Sequence, residues 1–194
     1  LGDIDLVSLR EAGVPVIRLQ STMADAVVKG SFYPTLLPQA VQGMLAGVFP
    51  ALQQPLESGP KGQDFTFDVM VKDAQTLLDV LVPGSELGTG THTTGNFNER
   101  TGDLAVDAHF THVGFKGFTG DTIDLSMEKN MDLLAFKLDG KGAVRKDSME
   151  MHGLEITGKG YQDRVLMQAF WAGKTKGNTG DIDLSATVNG PASF

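Results

Sequence analysis

The stretch Gly102-Asp103-Leu104-Ala105-Val106-Asp107-Ala108-His109-Phe110 decides how the rest of the chain is read. In an extended chain Leu104, Val106, Ala108 and Phe110 point to one side, and Asp103, Ala105, Asp107 and His109 to the other. A period of two with one dry face marks an antiparallel strand that is half buried. The pattern returns in Asp121–Glu128, where Ile123, Leu125 and Met127 oppose Thr122, Asp124 and Ser126. It returns again in Asp181–Val188, with Ile182, Leu184, Ala186 and Val188 on the dry side, and in Asp64–Lys72, with Phe65, Phe67, Val69 and Val71.

Weaker strands fit around these. Val14–Gln20 and Met23–Tyr33 read as a pair joined at Ser21-Thr22. Leu87–Asn98 is polar and rich in Thr and Gly, and reads as an edge strand. Met131–Asp139 groups Leu134, Phe136 and Leu138. Met149–Thr157 changes phase between Met151 and Leu154, where Gly153 suits a bulge. Arg164–Ala172 is apolar on both sides, which predicts a strand covered on both faces.

Two segments break the rhythm. Thr35–Gln54 has no charged residue, and Leu37, Val41, Met44, Leu45, Val48 and Leu52 follow helical spacing. Pro38 fits only near its start, and Pro50 kinks or ends it. The glutamines and prolines exclude a membrane span. Asp73–Leu81 is the second predicted helix, with Asp73 as N-cap and Pro83-Gly84 as the stop.

The composition narrows function. With 16 Lys plus Arg against 24 Asp plus Glu, the formal charge is −8, which repels phosphate backbones and argues against nucleic acid as a partner. The absence of cysteine excludes disulfides, thiol nucleophiles and thiolate metal sites. The chain opens at Leu1 with neither an initiator Met nor a basic-then-apolar leader, and is expected to be one β-rich module, 1–194, internal to a larger protein.

Nothing in the sequence has the makings of a catalytic or metal centre, and no cofactor is expected. His109 and His112 are three apart, on opposite faces of a strand, and His92 and His152 lack a neighbouring partner. The carboxylates lie on wet faces or in turns, where acid–base work has no perturbed group to use. Gly88-Thr89-Gly90 and Gly158-Lys159-Gly160 lack both the spacing and the strand-to-helix setting of a phosphate loop.

One echo runs through the chain. Gly2-Asp3-Ile4-Asp5-Leu6 recurs as Gly180-Asp181-Ile182-Asp183-Leu184. It reads either as a common Gly-Asp turn into an amphipathic strand or as a loosely repeating sheet that continues past both ends.

The order of elements carries a family resemblance. Gly30-Ser31-Phe32-Tyr33-Pro34 leads into the uncharged helix. Asp64-Phe65-Thr66-Phe67-Asp68-Val69 follows, then a short helix and Val82-Pro83-Gly84. Gly88-Thr89-Gly90-Thr91 and Gly95-Asn96-Phe97-Asn98 then open a series of amphipathic strands. Over about residues 23–140 this resembles the TamB proteins of the Gram-negative envelope, within the AsmA-like group. The resemblance implies a long sheet folded lengthwise into a groove (a β-taco) that crosses the periplasm from an inner-membrane anchor outside this chain. It also implies roles in moving phospholipid to the outer membrane and in outer-membrane assembly, with a barrel assembly protein as partner through regions outside this chain.

The expected fold is therefore mostly β, with antiparallel amphipathic strands forming a groove and helices near 35–54 and 73–81 covering part of it. Phospholipid acyl chains are the expected partner. The candidate groove residues are Phe65, Phe67, Val69, Leu104, Val106, Phe110, Ile123, Leu125, Leu134, Phe136, Leu138, Ile182 and Leu184. The helix should lie on them through Leu37, Val41, Met44, Leu45 and Val48. The alternative is a structural or adhesion sandwich in which the same residues form a closed core; a barrel around one small apolar ligand is a third reading.

Overall fold

Short alternating segments separated by turns pair most simply with their neighbours in sequence, and the chain does this almost throughout. A computed structural model describes residues 3–52, 62–146, 149–173 and 179–189. They form one open antiparallel sheet: β1 (Ile4–Glu11), β2 (Val14–Ser21), β3 (Ala24–Ser31), β4 (Asp64–Val71), β5 (Ser85–Leu87), β6 (His92–Asn98), β7 (Asp103–Phe115), β8 (Phe118–Asn130), β9 (Leu133–Lys146), β10 (Met149–Tyr161), β11 (Arg164–Gly173) and β12 (Gly180–Thr187). Spatial order follows sequence order from β1 to β12, except that β5 stands off the path and pairs only with the far end of β7. The strands of the described residues form this one sheet, so the mostly β, unclosed architecture of the expected groove is what the chain adopts.

Helix α1 (Leu37–Val48) enters between β3 and β4, and α2 (Gln75–Leu81) between β4 and β5. A 3-10 turn, Pro34–Leu36, leads into α1, which takes Pro38 in its first turn, where the missing N–H costs nothing. Pro50 ends it: Phe49 is the C-cap and a 3-10 turn, Pro50–Leu52, follows. Positions 53 and 54 of the expected helix lie outside the described residues. Helix α2 starts later than expected, with Ala74 rather than Asp73 as N-cap; the Asp73 carboxylate still accepts the Gln75 N–H at 3.4 Å.

The bulge expected at Gly153 is present. Gly153 has φ +56, and the register shifts there against both neighbouring strands. A matching shift separates Gly120 from Ile123 in β8, where Thr122 has φ +54. The irregularities thus stand side by side on β8, β9 and β10. Bulges bend a strand and sharpen its twist, so this line is a crease across the long strands. On the far side of it Val144 is still buried, next to Gly120 and Gly140.

Two expectations are corrected. The polar segment near Leu87–Asn98 is not an edge: β6 pairs with both β4 and β7, and Phe97 is one of the most buried residues. Its glycine and polar residues reflect a wet outer face and the space that Phe67 takes over Gly95. Nor is β11 covered on both faces among the described residues: Leu166 and Phe170 remain 41% and 48% exposed. Among the described residues the edges are β1, whose opening Ile4-Asp5-Leu6 the Gly-Asp echo marks as strand, and β12.

Candidate functional site

Cross-strand partners share a face of the sheet, so the pairing register tests whether the dry sides of separate segments combine. One row runs across every strand on the main path: Leu6, Leu19, Ala26, Val69, Thr93, Ala108, Leu125, Leu138, Ile156, Ala169 and Ile182. Only Thr93 interrupts its apolar character. A second row joins Phe67, Gly95, Val106, Met127, Phe136, Gly158, Met167 and Leu184. A third joins Phe65, Phe97, Leu104, Lys129, Leu134, Gly160 and Val165. Phe110 and Ile123 are partners on the same face, nearer the crease. Every candidate groove residue falls in these rows or in that pair.

Their exposure differs along the face. Phe65 and Ile123 are buried, the central members are half-buried, and Ile182 and Leu184 at the open edge are exposed. The buried end is where α1 lies. Ala40 and Met44 pack with Phe65 and Phe97, and Leu37, Val41 and Leu45 flank that cluster. Farther along α1, Gly47 stands over the Lys129 ammonium, and Val48 and Phe49 reach Gly160 on β10. The helix thus runs across the strands, above the third row. Leu37, Val41, Met44, Leu45 and Val48 were expected in this contact; Ala40 and Phe49 are additions, hidden in sequence by a small side chain and by a position at the C-cap.

Aromatic rings cover glycines across strand pairs on this face: Phe67 over Gly95, Phe136 over Gly158 and Trp171 over Gly180. A glycine opposite a ring lets it lie flat on the backbone, which fills space that a small residue would leave open. Around Phe65 the rings stack directly, with Phe32 edge-on at 4.9 Å and Phe97 at 5.7 Å between centroids.

Lys129 is the one charged residue in the three rows, and it is 2% exposed. Its ammonium donates to the Gly102 carbonyl at 2.7 Å and to the Met131 carbonyl, tying together two neighbouring hairpin turns. Burial holds its pKa below the usual lysine range, against the opposing pull of Asp103 and Asp132. The sequence pattern concealed it, since a lysine at a dry position ends an alternation rather than extending it.

The opposite face is ionic. Asp68 meets His92 at 2.9 Å, His109 meets Asp124 at 2.6 Å, and Lys141 meets Asp124 at 2.5 Å. Lys137 bridges Asp139 and Glu155. Apart from these pairs, next to the crease and two residues beyond Phe110 in β7, His112 sits between Asp121 at 2.6 Å and Glu86 at 3.1 Å, one on each ring nitrogen, so the two carboxylates diverge rather than converge on one point. Among the described residues no group of His, Asp and Glu is arranged to hold a metal ion. This side is also hollowed over β8–β12: a depression of about 750 Å³ is lined by Ser126, Lys137, Thr157, Gln168 and Asp183.

No protein-family profile, characterised protein or solved structure matches this chain. Among the described residues no helix is long and apolar enough to cross a membrane.

Proposed function

We propose that this chain is a lipid-handling segment of an envelope protein. In this reading its open apolar face carries phospholipid acyl chains while the head groups stay in water. The chain would lie in the periplasm, within an inner-membrane-anchored protein of the TamB and AsmA-like kind, contributing to phospholipid movement and outer-membrane assembly. The anchor and the contact with a barrel assembly protein would be supplied by regions outside it.

The observation that carries the reading is the apolar row from Leu6 to Ile182, which crosses every strand of the main path and ends at exposed residues on both edges. A domain that needs these residues only for its own core has no reason to continue the row to open edges. Each acyl CH₂ buried against such a face contributes about 0.8 kcal/mol, so one chain supplies several kcal/mol without any directional contact. The closed-sandwich alternative needs a second sheet over this face, and the described residues form only one.

Lipid extraction and native mass spectrometry of the purified chain test the proposal. Co-purifying phospholipid, or stoichiometric uptake of added phospholipid, is the expected result. A chain that stays lipid-free in the presence of phospholipid vesicles and micelles overturns it.

A further inference from the structure

Residues 72–91 leave the sheet and return to it at one place. The Val71 N–H donates to the Thr91 carbonyl and the Gly90 N–H to the Val71 carbonyl, both at 2.8 Å. The Lys72 and Asp73 N–H groups donate to the Met23 carbonyl. Between these anchors stand α2 and β5, and β5 lies along residues 113–115 of β7, which β6 does not reach. The arm can therefore lift without disturbing the pairing of β4 with β6. Its tip has few fastenings. β5 pairs through three residues, the Gly88 N–H donates to the His112 carbonyl at 2.8 Å, and the Thr111 hydroxyl donates to the Thr89 carbonyl at 2.9 Å. The remaining tie is the side chain of Glu86 on the ring of His112.

Glu86 reaches that ring across Gly114. A methyl group on Gly114 would come within 3.0 Å of the Glu86 Cβ. Gly114 is not in the left-handed region, so what glycine supplies there is passage for the side chain. At the ring, Glu86 stands 3.1 Å from Nε2 and Asp121 2.6 Å from Nδ1. A neutral imidazole has one N–H, and only the imidazolium donates from both nitrogens. Deprotonation thus sets a lone pair against one of the two carboxylates. Asp121 keeps the N–H, because it is closer, less exposed (45% against 60%) and on the cross-strand partner of His112. Glu86 is the contact that is lost.

We propose that His112 is a proton-operated clasp for this arm: protonated, it fastens β5 beside the crease, and on losing its proton it lets β5 go while Asp121 and the bulge stay in place. Asp121 from β8 and Glu86 from β5 are the charged groups that act on the ring, and bonding to them, Asp121 first, lifts its pKa above the ordinary 6.5. Release therefore comes as pH rises through that raised value, and it frees the backbone of β7 at residues 113–115. The groups are partly exposed, so the change is a several-fold shift in how often the arm opens. The inference concerns the arm and stands whether or not the apolar face carries lipid.

Amide exchange in the full chain at about pH 5.5 and about pH 8, corrected for the intrinsic pH dependence of exchange, tests the clasp. Protection at residues 85–88 should fall at the higher pH several-fold more than at the centre of β8. Glu86→Gln should remove that difference, since its amide offers the neutral ring a donor and the imidazolium an acceptor. His112→Gln should remove it too. An arm whose protection tracks β8 at both pH values, or a selective loss that survives either substitution, overturns the proposal.

Discussion

The ring of Phe136 lies over the backbone of Gly158, its partner on the neighbouring strand, so closely that a methyl group on Gly158 would overlap it. The pair is a single unit of packing: the glycine is the space that the ring fills. Gly158→Ala should cost about 1–3 kcal/mol, the usual result of forcing a ring off its rotamer. Joined to Phe136→Leu, the same change should cost less than the sum of the two alone, since the smaller side chain leaves room for the methyl. Urea unfolding of the two single variants and the double variant measures this.

A charge on the open face should be tolerated where a charge under α1 is not. Leu125 is half-buried in the apolar row, whereas Phe97 is 2% exposed beneath Ala40 and Met44. Leu125→Asp should lower stability by about 1–3 kcal/mol, while Phe97→Asp should exceed about 4 kcal/mol or prevent folding. Leu125→Asp and Phe136→Lys should both abolish phospholipid uptake in a chain that still folds. Circular dichroism melts beside lipid mass spectrometry separate the two effects.

His112 should make stability fall as pH rises. Hydrogen bonding to Asp121, then to Glu86, lifts its pKa above the ordinary 6.5. A raised folded value means that protonation stabilises the fold. That contribution is complete below about 6.5 and is lost as pH climbs through the folded value. Its side chain is 36% exposed, so solvent screening keeps the effect modest. Against His112→Gln, the native chain should melt at a higher temperature near about pH 5.5, and the gap should close by about pH 8. A gap that widens with pH would contradict the assignment.

Asp163 latches the end of α1 to the sheet. Its carboxylate accepts the Ala51 N–H at 2.7 Å, and its own N–H reaches the Val48 carbonyl at 3.4 Å. It also holds φ +61, a region Asn tolerates better than Ala. Asp163→Ala should therefore cost about 1–2 kcal/mol and Asp163→Asn clearly less. Amide exchange should quicken at residues 45–51 in the Ala variant while the centre of β8 keeps its protection.

The alternation in single segments made the strands legible, and with them the face that Leu104, Leu125 and Phe136 share. Gly153 was legible because a bulge must reset the phase that the sequence visibly breaks. The edges were not. Polarity made β6 look peripheral, yet a strand with one wet face is equally polar at the centre of a single-layer sheet. Only the opening of β1 was legible, through the Gly-Asp echo, because beyond it apolar residues also occur on the outer face, at Val7 and Leu9, which blurs the period. Lys129 was missed for the opposite reason: a long aliphatic stem fits a dry position when backbone carbonyls receive its head.

Among the described residues, apart from β5, each strand is hydrogen-bonded to the strands before and after it along the path. From β7 to β12 each strand pairs with its neighbours in sequence, so closing each of these hairpins costs little entropy. A further pair of strands could enter at any hairpin turn away from the helices without altering another strand's register, direction or facing. Each pair would widen the sheet by about 9–10 Å. Span is therefore a quantity this architecture can change in steps, at nearly constant chemistry per step, as a ladder changes height by its rungs.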